Sequence, residues 1–304
     1  MIIKTSYMLT PQSTSPKLAN ALNLQQDVYL KREDLMLEYH SHKGRSIPFM
    51  MSIYYEQGIY DFCISSSGNA AIAAATYTKN HNIQNPTKPI NLQIFIGNNI
   101  APEKLTTLFT LTQQNSYIRI TQTDNPKQSA FLLDKQGASK NLRQSTDDLA
   151  LTGYHALAEE LSAIPNLSAV FIPTSSGTTA QGLFEGFKKI GINPEIHIIQ
   201  TPACHPFIDS KQTGQSLAHA IVDMVGNRKE HIAQILHSSH GSGWIATDED
   251  ILQIQKIIAE EKITDQEKPL VLSPNSALSV AGLMIALKNG WKPNGPVACL
   301  ITGP

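Results

Sequence analysis

The chain has 304 residues, a formal net charge of −1 and 41% hydrophobic residues, enough length for two lobes around a sizeable core and an ordinary composition for a globular protein. No basic patch invites nucleic acid, and no apolar run approaches the length needed to span a bilayer. The opening Met1-Ile2-Ile3-Lys4-Thr5-Ser6-Tyr7 lacks the long apolar core of a leader. Cys63, Cys204 and Cys299 are widely spaced, so they read as buried thiols in a reducing compartment, and a cytoplasmic protein is expected.

Val28-Tyr29-Leu30-Lys31-Arg32-Glu33-Asp34 is an extended segment, and after it Ser41-His42-Lys43-Gly44-Arg45 opens an apolar helical run. A lysine amine is a poor nucleophile while protonated, but desolvation or a neighbouring cation lets it form an imine with an aldehyde. Taken alone, Lys43 reads equally as a solvated lysine near a helix start. Next, the strand-like Tyr60-Asp61-Phe62-Cys63-Ile64 feeds the polar turn Ser65-Ser66-Ser67-Gly68-Asn69 and an alanine-rich helix, whose first backbone N–H groups can receive a carboxylate.

Short apolar strands then alternate with amphipathic helical stretches through residues 92–96, 105–111, 117–120, 170–172, 196–199 and 297–301, which predicts open, mostly parallel α/β sheets flanked by helices. Pro86, Pro89, Pro102, Pro126 and Pro173 punctuate them as loop or element-start residues. Between a strand at 169–171 and a helix from 183 lies Thr174-Ser175-Ser176-Gly177-Thr178-Thr179, where hydroxyls, a glycine and a helix N-terminus make a phosphate cradle. Thr201-Pro202-Ala203-Cys204-His205-Pro206 follows the strand at 196–200 and is a substrate-side loop by position. His237 and His240 have no third ligand nearby, so no metal site is assigned.

These motifs, in this order, resemble the threonine synthase branch of the fold type II pyridoxal phosphate enzymes, the tryptophan synthase β-like superfamily. The likeness runs from Leu9-Thr10-Pro11 through Lys31-Arg32-Glu33-Asp34, Ser41-His42-Lys43, the turn at residues 66–69, Gly153-Tyr154-His155-Ala156-Leu157 and Ser276-Ala277-Leu278-Ser279 to Cys299-Leu300-Ile301-Thr302-Gly303. The resemblance implies pyridoxal 5'-phosphate as cofactor, an amino-acid substrate and a homodimer. It implies two lobes with the cofactor between them. Residues 51–146 form the smaller lobe with the Ser-Gly-Asn turn, and residues 1–50 plus 147–304 form the larger, with the Schiff-base lysine, the phosphate loop and the partner of the pyridine nitrogen.

Carried over residue by residue, the resemblance makes Lys43 the cofactor-bearing amine and the base for the Cα proton. Asn69 would bond the cofactor's ring hydroxyl, and Ser66, Ser67 and Gly68, with Asn69, would take the substrate carboxylate. Ser175, Ser176, Gly177, Thr178 and Thr179 would hold the phosphate, and Thr302 would face the pyridine nitrogen. A neutral hydroxyl there suits elimination and replacement better than transamination. Three positions depart from the family pattern: His42 replaces an aromatic and stands to pack on the ring or move a proton, Gly44 replaces an acid, and Ser273 replaces a glutamate.

The activity expected is a lyase that removes the Cα proton and eliminates or replaces a β or γ substituent, with O-phosphohomoserine to threonine and phosphate as the specific form. A serine or threonine ammonia-lyase is the alternative, and a non-catalytic binder of the cofactor or an amino acid is a third reading. No Gly-x-Gly-x-x-Gly turn follows the first strand, which argues against a nicotinamide enzyme. Lys31, Arg32, Arg45 and Lys211 serve either to steer an anionic substrate or as ordinary ion pairs.

Overall fold

A computed structural model describes residues 9–304 apart from Asn99, Ala101, Gln114 and Gln266; the opening Met1-to-Tyr7 stretch lies outside them. The chain forms two compact units, one running to Ser41 and resuming at Tyr154, the other His42–Gly153. In chain order the first unit begins with β1 (Gln12–Thr14), α1 (Pro16–Ala21) and β2 (Val28–Arg32). The second holds α2 (Lys43–Glu56), β3 (Asp61–Ser65), α3 (Asn69–Gln84), β4 (Asn91–Gly97), α4 (Pro102–Thr112), β5 (Ile118–Thr123), α5 (Pro126–Lys135), β6 (Lys140–Asn141) and α6 (Leu149–Thr152). The first unit resumes with α7 (His155–Ser162), β7 (Ala169–Pro173), α8 (Thr178–Lys189), β8 (Glu195–Gln200), α9 (Lys229–Ser239), β9 (Gly243–Ile245), α10 (Asp248–Glu260), β10 (Thr264–Asp265), β11 (Lys268–Pro269), α11 (Pro274–Lys288) and β12 (Val297–Ile301).

The first unit is built on a sheet ordered β1-β2-β12-β7-β8-β9, parallel except for the β1–β2 pair. Its central strands read Val-Ala-Cys-Leu-Ile and Ala-Val-Phe-Ile-Pro and are buried at every residue, as strands covered by helices on both faces must be. Side chains alternate between two cores. Val297, Cys299, Ile301, Ala169 and Phe171 join the core that holds α10 and α11, whereas Ala298, Leu300, Val170 and Ile172 join that of α7, α8 and α9. Pro173 ends β7 rather than opening a loop. Its missing N–H costs nothing there, because Thr174 N–H makes the next bond, to Ile199 O at 2.8 Å.

The second unit carries a parallel sheet ordered β5-β4-β3-β6. Its compact boundary is wider than residues 51–146, because α2 packs on α3 and on α6. Lys43 therefore falls in this unit. Residues 105–111 lie within helix α4.

Two buried charge clusters brace the first unit. Lys31, 1% exposed, meets Glu160 at 2.5 Å and gives a hydrogen bond to Thr10 O at 2.9 Å. Arg32 pairs with Asp34 at 2.7 Å and with Asp265, which also accepts from Ser13. Both cations are thus committed to structural pairs, not to steering substrate; breaking such a buried pair typically costs about 3–5 kcal/mol.

On β8, His197 is fully buried and stacks on Phe171 with ring centroids 4.5 Å apart. Trp244 Nε1 donates to His197 Nδ1 at 3.1 Å, so that nitrogen carries no proton. The other, Nε2, donates to Glu195 Oε2 at 3.1 Å, which also accepts from Trp291 Nε1 at 2.8 Å. Desolvation lowers the His197 pKa to about 4. An unfolded histidine takes up its proton near pH 6.5, so stability is full above that pH and falls as pH drops toward the folded value, by about 3 kcal/mol for this group. Urea unfolding between pH 7 and pH 4 should show this loss in the wild type, and a His197→Phe variant should have a correspondingly shallower slope.

Candidate active site

In the first unit the parallel strands end along one edge, and the predicted phosphate residues follow β7 there. Gly177 is the N-cap of α8 with φ +80°, a left-handed conformation that favours glycine. A Cβ at this position would meet Ile232 Cγ1 at 2.9 Å. The first bond within α8 is Gln181 N–H to Gly177 O at 3.0 Å, so the amides of Thr179 and Ala180 precede the helical ladder and point out of the helix end. Ser176 Oγ and Thr178 Oγ1 lie 2.9 Å apart. A left-handed glycine, clustered hydroxyls and a helix N-terminus fit a phosphate group.

Thr302 follows β12, the neighbour of β7, and is 5% exposed. The next residue, Gly303, has φ +112°, and a Cβ on it would meet His40 O at 2.7 Å. Gly303 O accepts from Ser273 Oγ and Ser276 Oγ, both at 3.0 Å, and Gly303 N–H donates to Ser276 Oγ at 3.1 Å. Ser273, a departure from the family pattern in the sequence, is thus the N-cap of α11, accepting from Ser276 N–H at 3.2 Å, and at the same time a clamp on the end of β12. Ser41 is fully buried close to Gly303, and its Oγ has no hydrogen-bond partner among the described residues. An orphaned buried hydroxyl is the kind of group that a ligand or an ordered water satisfies.

In the second unit, Lys43 is the first residue of α2 and is half-buried behind the half-buried N-cap His42. Among the described residues its amine makes no ion pair. Ser66, Ser67 and Gly68 join β3 to α3, and Asn69 is the first residue of α3. Ser66 Oγ accepts from Gly68 N–H at 3.2 Å, and the N-cap Gly68 accepts from Ala71 and Ile72. A Cβ on Gly68 would meet nothing within 4 Å, and its φ of −121° does not require glycine. Neither packing nor backbone geometry therefore requires glycine here, and the space beside it is open.

Other candidates are ordinary by comparison. His205 Nε2 donates to Gln212 O at 2.8 Å within its own loop. Among the described residues no group of three or more His, Cys, Asp or Glu could hold a metal ion, and no helix is long and apolar enough to cross a membrane. Burial pushes the Cys63 thiol up to about 11 and the Cys299 thiol well above its ordinary range, which leaves them unreactive. Sequence reasoning missed the clamp made by Ser273 and Ser276, although a serine followed by proline before an apolar helix is a readable cap signature.

Helix-flanked, mostly parallel sheets with glycine-bearing turns at the strand ends match the architecture of the fold type II cofactor enzymes. The chain belongs to the family of pyridoxal-phosphate dependent enzymes, which matches residues 3–303. No curated protein sequence matches the chain. Among solved structures, it is similar to a pyridoxal 5'-phosphate-dependent aspartate racemase, with TM-score 0.79 and 18% identity over 97% of this chain and 90% of that one. It is also similar to the processed form of threonine deaminase isoform 2 from Solanum lycopersicum, with TM-score 0.76 and 18% identity over 97% and 78%. A fungal L-serine ammonia-lyase from Rhizomucor miehei gives TM-score 0.74 and 15% identity over 97% and 93%. These likenesses establish the fold, and the cofactor of the family is pyridoxal phosphate.

The two glycines should separate fold from site. Gly68→Ala should leave urea stability within about 1 kcal/mol, since only a cap preference changes, while weakening amino-acid binding as followed by the cofactor's absorbance. Gly177→Ala should lose stability as well, because both its φ and its contact with Ile232 oppose a side chain.

Proposed function

We propose that the protein is a pyridoxal-phosphate-dependent lyase that removes the Cα proton of an amino acid and then eliminates or replaces a β or γ substituent. Conversion of O-phosphohomoserine and water to threonine and phosphate is its specific form. The observation that carries this reading is Thr302, a buried hydroxyl at the end of β12 in the position that the family likeness assigns to the pyridine nitrogen. A neutral group there does not hold a proton on the ring, and the moderated electron demand favours elimination and replacement.

When bound, pyridoxal phosphate supplies a carbonyl for the amino group and a conjugated ring that draws electrons from Cα. The residues of the chain do the rest. The unpaired amine of Lys43 is the group for covalent attachment, and once free it accepts the Cα proton at Nζ and returns a proton later in the cycle. Ser66, Ser67 and the open space at Gly68 would take the substrate carboxylate at the start of α3, which orients the Cα–H bond for Lys43. Asn69 would hold the ring hydroxyl, while Ser176, Gly177, Thr178 and Thr179 would anchor the phosphate, so that the ring cannot shift as electrons move. The free, buried thiols of Cys63, Cys204 and Cys299 support a reducing, cytoplasmic setting.

Phosphate and threonine should be followed together during multiple turnovers on O-phosphohomoserine. Equal release of both supports the specific reading. Keto acid and ammonia from serine or threonine would transfer it to the ammonia-lyases, and inversion without product to the racemases. Bound cofactor with no turnover of any amino acid would leave a binding protein. Lys43→Ala should abolish turnover and the borohydride-reducible link to cofactor while keeping the fold. Thr302→Val should change the cofactor's spectrum and turnover far more than the unfolding midpoint; an unchanged spectrum would assign the pyridine nitrogen to another group.

A further inference from the structure

Ser175 stands just ahead of the Ser176-Gly177 turn, yet its oxygen is already engaged on the acceptor side. Its Oγ accepts the backbone N–H groups of Val222 at 3.0 Å and Asp223 at 3.1 Å. A serine oxygen has two acceptor positions and one proton to give, so the proton is what Ser175 has left.

The segment that supplies those amides, residues 217–223, contains neither helix nor strand. Ala218 and Ile221 are buried in the larger core, and apart from local turns its backbone N–H groups go to side-chain acceptors. Leu217 N–H donates to Asp248 Oδ1 at 2.7 Å, Ala220 N–H to Asn275 Oδ1 at 2.9 Å, and the last two amides go to Ser175. Asn275 directly precedes Ser276, which holds Gly303. The segment therefore runs as a strap from the support of Thr302 to the β7–α8 turn. Apolar burial ends at Ile221, and the next side chain, Val222, is 62% exposed. Beyond Ile221, the amides of Val222 and Asp223 are held by the two bonds to Ser175.

We propose that Ser175 is a positioning residue, which docks the strap through its two acceptor positions and gives its one proton to the cofactor's phosphate. Strap docking and phosphate binding then reinforce each other. The proposal rests on reading the β7–α8 turn as the phosphate site. A hydroxyl that donates to an anion gains electron density and becomes a better acceptor, so filling the turn tightens both amide bonds. By reciprocity, a docked strap leaves the proton pointing away from its two amides and improves the turn as an anion site. A residue that served only as a phosphate ligand would leave the strap indifferent to the cofactor.

Hydrogen exchange at the Val222 and Asp223 amides tests this in the cofactor-free protein, with saturating pyridoxal phosphate and with saturating pyridoxal, which lacks the phosphate. Exchange should slow about tenfold with the phosphorylated cofactor, the effect of one charge-assisted hydrogen bond, and stay unchanged with pyridoxal. Ser175→Ala should exchange rapidly in all three states and bind pyridoxal phosphate about tenfold more weakly. Ser175→Thr, which keeps the hydroxyl, should restore both. Equal exchange in the wild type with and without phosphate, while phosphorus NMR reports a bound phosphate, would overturn the coupling and leave the phosphate site standing. Equal affinity for pyridoxal and pyridoxal phosphate, unaffected by Gly177→Ala or Thr179→Val, would remove the phosphate site itself and the proposal with it.

Discussion

The burial of β12 on both faces is the constraint on which the larger unit depends. Its five residues lie between β2 and β7 with helices above and below, and the burial continues past the strand through Thr302 and Gly303. Buried backbone groups need partners from the protein or from a ligand. Gly303 finds them in two serines at the head of α11, and this fixes the neighbouring Thr302 at the strand edge. A hydroxyl held this way keeps its place without a charged neighbour.

Charge is separated from chemistry in the same unit. The carboxylates of Glu33, Glu160 and Asp265 are engaged by Thr10, by Lys31 and by Arg32 with Ser13. What remains along the sheet edge is a row of hydroxyls and backbone N–H groups. Such neutral donors bind an anion without the desolvation cost that a buried cation carries. They also leave the electronics of a bound ring to the ring.

The strands and turns were legible in the chain because each leaves a local trace. Ala-Val-Phe-Ile-Pro and Val-Ala-Cys-Leu-Ile are continuous apolar runs, which parallel strands covered on both faces require. Ser-Gly-Asn and Ser-Gly-Thr each mark a strand passing into a helix. Partnerships between distant residues leave no such trace. Lys31 finds Glu160 across 129 residues and Arg32 finds Asp265 across 233, and only the fold brings them together. The unit boundary at His42 and Gly153 also escaped the sequence, because it depends on α2 packing against α3 and α6. Residues 217–223 have no periodicity at all; their arrangement is set by the burial of Ala218 and Ile221 together with acceptors on three separate elements.

The aromatic cage around His197 has an optical consequence. Trp244 and Trp291 are the chain's only tryptophans, and both touch the same buried imidazole. The protein's entire indole emission therefore originates from one side of β8, and the His42–Gly153 unit contributes no indole signal of its own. Fluorescence followed during refolding would thus time the assembly of the larger unit alone, and the helix that begins with Lys43 would have to be watched by another probe.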